Sequence, residues 1–376
     1  NIETEEIRML DYASVGSASA EAVVTPNDVM FYKKTATEIW KMDLNTYEKE
    51  KVATVPSYAS GGTTIQVTND GKYLTCYWKE NRSEEDYVGD VNRIRIIPRL
   101  NCETGEWDTS LHHEFNDDPR YPDVGHPIIN PEYENLLFFC HEGTTEDIPD
   151  RLWIGDITTG ETRNLFLQAE RPDGRTGETS GHEVWSQDGE DMFFVKYTRD
   201  TNLGQSGIVR IKKDGSGREY INGDYPYWHC YPSPDKKWVA ADIQYGNNQT
   251  GVALVNAQTY ESYLLANFSQ PSPNHPYQAH PVISYDGKKV SFQRADETGM
   301  LCAAWIDISE FVDNAQEGEH GVISDTASYI SYSGANSEVT KATQQGEECL
   351  RVGKEKALYV DLDDSLASGT DSSVTF

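Results

Sequence analysis

The chain has 376 residues, 62 acidic against 32 basic, for a formal net charge of −30; 37% are hydrophobic and 11% aromatic. That composition is globular rather than disordered, and no apolar run approaches the roughly 18 residues that span a membrane. A surface this acidic serves solubility but repels phosphate backbones, which argues against a nucleic-acid partner, and it would admit an anionic polysaccharide only where a metal or arginine concentrates positive charge.

The chain begins at Asn1 without a methionine, as after removal of a leader, and its visible N-terminus carries no signal-peptide pattern. The first recognisable unit is a turn, Thr25-Pro26-Asn27-Asp28, followed by the strand-like Val29-Met30-Phe31-Tyr32. The pattern returns as Asn69-Asp70-Gly71-Lys72 before Tyr73-Leu74-Thr75-Cys76, and as Asn130-Pro131-Glu132 leading to Leu136-Leu137-Phe138-Phe139. Later copies open at Ser186-Gln187-Asp188-Gly189, Ser233-Pro234-Asp235-Lys236 and Ser284-Tyr285-Asp286-Gly287. Most are followed by a second strand ending in a polar turn, such as Ile39-Trp40-Lys41-Met42-Asp43 or Leu152-Trp153-Ile154-Gly155-Asp156. Asp-Gly pairs supply the positive backbone angles of hairpin turns. Short strands whose anchors repeat every 44–61 residues or so are the signature of propeller blades, and long helical periodicity is nearly absent. Six anchors can be counted. A seventh blade would be completed by the C-terminal segment, with Ala357-Leu358-Tyr359-Val360-Asp361 closing on the N-terminal strands and removing the exposed edges. From Asp364 onward the chain is rich in Ser, Asp and Thr and reads as a tail.

Six cysteines are scattered without a C-x-x-C pair, several inside strand-like runs such as Leu137-Phe138-Phe139-Cys140, and read as buried thiols. The nine histidines are more informative. His229 precedes the fifth anchor, and His275, Gln278 and His280 precede the sixth. Residues two apart in an extended segment face the same way, so Gln278 and His280 can meet one ion. With His275 and His229 they offer three imidazoles and an amide oxygen, a set of borderline hardness suited to Mn²⁺, with Zn²⁺, Fe²⁺ or Ni²⁺ as alternatives. His126 and His182 precede their own anchors at the same blade position, which points to one shared cavity. The plainer alternative for each is an imidazole that pins a turn. No H-E-x-x-H and no G-x-S-x-G motif occurs.

The stretch from Gly125 to about Ile308 resembles the oligogalacturonate lyases, a family of seven-bladed propeller enzymes that act on short pectin fragments. The resemblance is carried, in family order, by Gly125-His126-Pro127-Ile128, Cys140-His141-Glu142-Gly143, Arg151-Leu152-Trp153, Gly177-Glu178 with His182-Glu183-Val184-Trp185, His229, and the loop ending His280-Pro281. It implies an all-β, seven-bladed propeller in one domain over residues 1–363, a polar tail over 364–376, and a cytoplasmic protein, with a periplasmic or secreted one as the alternative. It also implies Mn²⁺ or another divalent metal on His229, His275, Gln278 and His280, although His275 stands where the family has glutamine and Gln278 where it has histidine. His182 matches the catalytic base and Arg151 an active-site arginine. His126, His141, Arg171 and Arg175 are candidate contacts to an anionic oligosaccharide. The implied reaction is β-elimination on a 4-linked uronate: a metal on the carboxylate acidifies the C5 proton and neutral His182 removes it. One departure is clear. The family's N-terminal blade carries a Cys-His-Arg-Asn-Tyr-like segment, whereas this chain reads Ser57-Tyr58-Ala59-Ser60-Gly61-Gly62-Thr63-Thr64. That keeps open a propeller lyase for another polyuronate, such as ulvan or another glucuronate-containing chain, and a non-catalytic carbohydrate-binding propeller.

Overall fold

The computed structural model describes residues 9–11, 21–80, 96–115, 120–144, 147–168, 178–198, 206–314, 339–344 and 347–352. Its strands form successive antiparallel sheets, each built from consecutive strands. The first blade holds β1 (Ala22–Val24), β2 (Val29–Lys33), β3 (Glu38–Asp43) and β4 (Lys49–Thr54); the second holds β5 (Ala59–Val67), β6 (Tyr73–Glu80), β7 (Arg99–Asn101) and β8 (Trp107–Asp108). In the third are β9 (Val124–Ile129), β10 (Leu136–His141), β11 (Leu152–Asp156) and β12 (Glu161–Phe166). The fourth comprises β13 (Glu178–Trp185), β14 (Asp191–Thr198), β15 (Gly207–Lys212) and β16 (Glu219–Asn222). The fifth comprises β17 (Tyr227–Pro232), β18 (Trp238–Gly246), β19 (Gln249–Asn256) and β20 (Ser262–Ser269). The sixth has three strands, β21 (Val282–Ile283), β22 (Lys289–Ala295) and β23 (Leu301–Asp307), followed by the short helix α1 (Ser309–Asn314).

The fold is therefore an all-β propeller, but the described residues make six blades, not seven. Each of the six turn anchors has produced one blade. The strands that follow, β24 (Val339–Gln344) and β25 (Glu347–Val352), pair only with each other as a two-stranded ladder. The expected closing strand at Ala357–Asp361, Arg171, Arg175 and the tail over 364–376 lie outside the described residues.

Side-chain oxygens set the turns. Ser186 donates to Asp188 at 2.6 Å, Ser233 to Asp235 at 2.6 Å and Thr68 to Asp70 at 2.7 Å, and each Asp also accepts a backbone N–H two residues on. The following residue turns left-handed, as glycine at Gly71 and Gly189 (φ 74° and 67°) and as Lys236 (φ 61°) in the fifth blade. Gly189 is required twice over, because a Cβ there would fall 2.1 Å from Asn130 Oδ1, and Asn130 joins the turns of neighbouring blades by donating to Gly189 O at 2.8 Å.

The core lies between blades. Five buried clusters occupy the five interfaces between consecutive blades, among them Phe138, Cys140, Leu152, Trp185 and Phe194 between the third and fourth. The strands behind them are fully buried, which explains continuous apolar runs such as Leu137–Cys140 and Phe193–Val195. The sixth blade meets the first where Tyr285 Oη donates to Val24 O at 2.7 Å. The first strand of every blade lines the central channel, with Val23, Gln66, Ile128, Val184, Tyr231 and Ile283 around one cavity. Among the described residues no helix is long and apolar enough to cross a membrane.

Candidate active site

One position recurs around the channel. Four residues before the Thr, Asn or Ser that opens each turn stand Glu21, Thr64, His126, His182, His229 and His280, one from each blade. The backbone is left-handed at Thr64 (φ 57°), His126 (44°), His182 (58°) and His280 (45°). The ladders slip at the same places: between Gly61 and Gln66, between Gly181 and Val184, between Tyr227 and Cys230, and opposite His126 between Phe138 and Cys140. A bulge takes a residue out of the alternation and re-aims its side chain. Left-handed non-glycine residues cost about 1–3 kcal/mol each and gather where function holds them. Thr64 and the four histidines thus reach a cavity of about 810 Å³, which Arg151, Glu183, Tyr197, Trp228 and His275 also line.

The imidazoles form a chain of rings. Centroids lie 4.1 Å apart for His182 and His229, 3.8 Å for His229 and His280, and 5.2 Å for His280 and His275. Behind them, fully buried Asp242 on β18 accepts the His229 N–H at 2.6 Å, takes His229 Nδ1–H at 2.9 Å and accepts the His280 N–H at 3.2 Å. This commits His229 Nδ1 and leaves Nε2 free as a ligand atom, the arrangement that orients metal-binding histidines. Gln278 is buried and its Oε1 has no hydrogen-bond partner, while its Nε2 donates to Pro273 O at 3.4 Å. Gln278 is not among the cavity-lining residues, whereas His275 is. Burial, then the neighbouring His229, hold the His182 imidazole down to about 2 and the His280 imidazole to about 4, so both stay neutral.

A charged group adjoins the imidazoles. Arg151 is nearly buried; its Nε donates to Glu183 at 3.0 Å and its Nη1 lies 3.9 Å from Glu142. Burial opposes the guanidinium charge, and Cys140, Glu183 and Glu142 outweigh it; the carboxylates carry the negative charge, because burial keeps the Cys140 thiol protonated. His126 is exposed on the cavity side; its Nδ1–H donates to Glu142 at 3.0 Å, and this bond raises the imidazole's affinity for its proton against the charge of Arg151, whose Nη2 lies at 3.2 Å. Only glycine at 125 allows that bond, since a Cβ there would stand 2.2 Å from Glu142 Oε1. His126, Cys140 and Glu183 also bring a ring nitrogen, a thiol and a carboxylate oxygen within 4.8 Å of one another. The Arg151 guanidinium already fills that space as their cation, which leaves the His229–His280 side as the better place for a metal.

The structure thus gathers His126, Arg151, His182, His229, His275 and His280. It does not bring His141 to the cavity: the ring stacks on Phe115 at 3.6 Å, and both nitrogens are engaged, with Asp150 at 2.7 Å and Tyr121 O at 2.8 Å. Asp242, Tyr197, Glu142 and Glu183 were not identified from sequence as functional. For Asp242 there was a signal, one carboxylate inside the apolar run Trp238–Ile243. Tyr197 had none, because its reach to His182 depends on the bulge in β13.

The model of the oligogalacturonate lyase family matches residues 12–207. The oligogalacturonide lyase of Pectobacterium atrosepticum is 29% identical over 191 residues, 47% of this chain and 45% of that protein. The oligogalacturonate lyase of Dickeya dadantii is 27% identical over 186 residues, 46% and 43% of the two chains. The chain thus spans less than half the length of the curated relatives it matches. In three dimensions it is similar to an oligogalacturonate lyase in complex with manganese, with a TM-score of 0.64, 22% identity and 77% of each chain covered. An oligogalacturonate lyase from Vibrio parahaemolyticus gives 0.59 and 21%, covering 76% of this chain and 75% of the other.

Proposed function

Since the chain belongs to the oligogalacturonate lyase family, whose model spans just over half of it, we propose that it cleaves 4-linked oligouronides, oligogalacturonate foremost, by β-elimination to a 4,5-unsaturated product. The observation that carries this reading is the convergence of His126, His182, His229 and His280, from four consecutive blades, on one cavity with a buried arginine. Against a net charge of −30, that cavity is where an anionic sugar would meet the Arg151 guanidinium and a metal on the imidazoles.

His229, His275 and His280, with Gln278, would hold a divalent metal, Mn²⁺ by the family's example. The three clustered imidazoles fit such an ion; the Gln278 oxygen is buried and unpartnered but outside the cavity lining, so it would join them only by turning toward the cavity. When bound, it supplies Lewis-acid neutralisation of the uronate carboxylate. Arg151 binds the same or an adjacent carboxylate through its planar fork. Neutral His182 takes the C5 proton on Nε2. His126, whose bond to Glu142 favours its protonated form, would be the group to give a proton to the departing O4; His141, with both nitrogens engaged, is no donor.

The test is ultraviolet absorbance of the unsaturated uronate, on digalacturonate and trigalacturonate with Mn²⁺ and then with EDTA. A rise that EDTA abolishes is expected. Absence of any rise, here and on a panel of other polyuronates, would leave a propeller that only binds sugar. One observation favours ulvan or another glucuronate-containing substrate as a second reading. The first two blades fill the ring position with Glu21 and Thr64, and the Glu21 carboxylate accepts the Thr64 backbone N–H. A carboxylate there disfavours a run of consecutive uronates, as in oligogalacturonate, relative to a chain in which glucuronate alternates with another sugar, and the panel would reveal the preference.

The metal also has a structural test. Asp242→Asn keeps the volume but weakens the hold on His229 Nδ1, so Mn²⁺ affinity by calorimetry should fall about 10–100-fold, with KM at saturating metal nearly unchanged. Unaltered affinity would move the metal elsewhere.

A further inference from the structure

We propose that Tyr197 is a positioning residue that locks His182 in its Nδ1–H tautomer, so that the lone pair sits on Nε2; this rests on the lyase reading above. Tyr197 belongs to β14, the strand paired with β13, which carries His182. Its hydroxyl meets two groups, His182 Nδ1 and the Trp228 carbonyl oxygen, the latter at 3.0 Å. A phenol has one proton to give. A carbonyl oxygen can only accept, whereas an imidazole nitrogen can do either. All three groups are satisfied together only when Tyr197 donates to Trp228 O and accepts from His182 Nδ1–H.

The carbonyl is available because Trp228 lies in the bulge between Tyr227 and Cys230, where the ladder lapses. The rings support the geometry: Trp228 packs 5.0 Å from His182 and 5.1 Å from Tyr197, and His182 meets Tyr197 edge-on at 88°. Burial, with Glu183 adding to it, keeps Tyr197 a neutral phenol. The lock matters because a free histidine side chain prefers its proton on Nε2, which would leave the lone pair facing Tyr197 instead of substrate. As His182 takes up a proton, Nδ1–H becomes a charged donor and its bond to Tyr197 strengthens.

The experiment compares the full-length protein with Tyr197→Phe, both labelled with ¹⁵N-histidine and loaded with diamagnetic Zn²⁺ for NMR, and with Mn²⁺ for kinetics. His182→Ala assigns the resonances. In the wild type His182 should show Nδ1 protonated. In Tyr197→Phe that preference should be lost and kcat should fall about 10–100-fold, with KM and metal content unchanged. An Nε2–H tautomer in the wild type overturns the proposal without reference to any variant. An unchanged tautomer in Tyr197→Phe also overturns it and makes any lost activity a different role, such as acid catalysis by the phenol; a changed tautomer with unchanged kcat overturns it too. Should the wild type yield no unsaturated product, the lyase reading fails, while the imidazole spectrum still reports the tautomer.

Discussion

His182→Ala is expected to lower kcat about 10²–10⁴-fold, the range for loss of a positioned general base, with Mn²⁺ binding and KM held within a few-fold. The ring sits between the metal-side histidines and Arg151, 4.1 Å from His229, in a left-handed backbone that serves no turn. Burial, then His229 and Arg151, push its imidazole to about 2 in the free protein. Throughout the neutral range it is therefore an unprotonated acceptor. Such a value would make a weak base if it persisted in the complex. A uronate carboxylate arriving beside Arg151 reverses the Coulombic push from the cation and raises the basicity where the proton must be taken. Initial-rate absorbance with wild type and variant at matched metal occupancy decides the matter. Activity within about threefold of wild type would remove His182 from proton transfer.

The phase of the histidines is legible in the amino-acid sequence because the turns punctuate the chain. In the second, fourth, fifth and sixth blades a Ser or Thr bonded to an Asp two residues on, followed by a left-handed residue, fixes the start of the second strand. Thr25 and Asn130 open the turn in the other two, so residues counted back fall at one height in the channel. His126, His182, His229 and His280 can be read this way. What supports them cannot. Asp242 and Tyr197 lie on second strands and reach forward past a bulge, and the slip that aims them has no local sequence signature. Glu142 and Glu183 stand inside the family landmarks, yet their role is evident only once Arg151 is placed between them. His141 misleads because it stands in a family landmark, while its ring is held away from the cavity by stacking on Phe115 and by Asp150 and the Tyr121 carbonyl. The expected seventh blade rests on a closing C-terminal strand and partly on the family's example, whereas six turn anchors can be counted, and six blades are what the described residues make.

Arg151 should give the largest combined effect on stability and activity. Its side chain and that of Glu183 are 9% and 3% exposed, so the pair has little water to fall back on. Arg151→Ala strands the Glu183 carboxylate, with Glu142 nearby, and removing one partner of a buried pair costs about 3–5 kcal/mol. Urea denaturation should register that loss, and any inactivity of this variant is then ambiguous. Arg151→Lys separates the two roles. A lysine retains the charge that Glu183 and Glu142 need, so much of the stability should return. It cannot hold Glu183 through Nε while presenting a second nitrogen to a substrate carboxylate, because it lacks the fork. Activity should therefore stay about 10²-fold down, with KM for digalacturonate raised. If Arg151→Lys regains both stability and kcat/KM, the guanidinium serves only to neutralise the two carboxylates, and recognition of the uronate must rest on the metal side of the cavity.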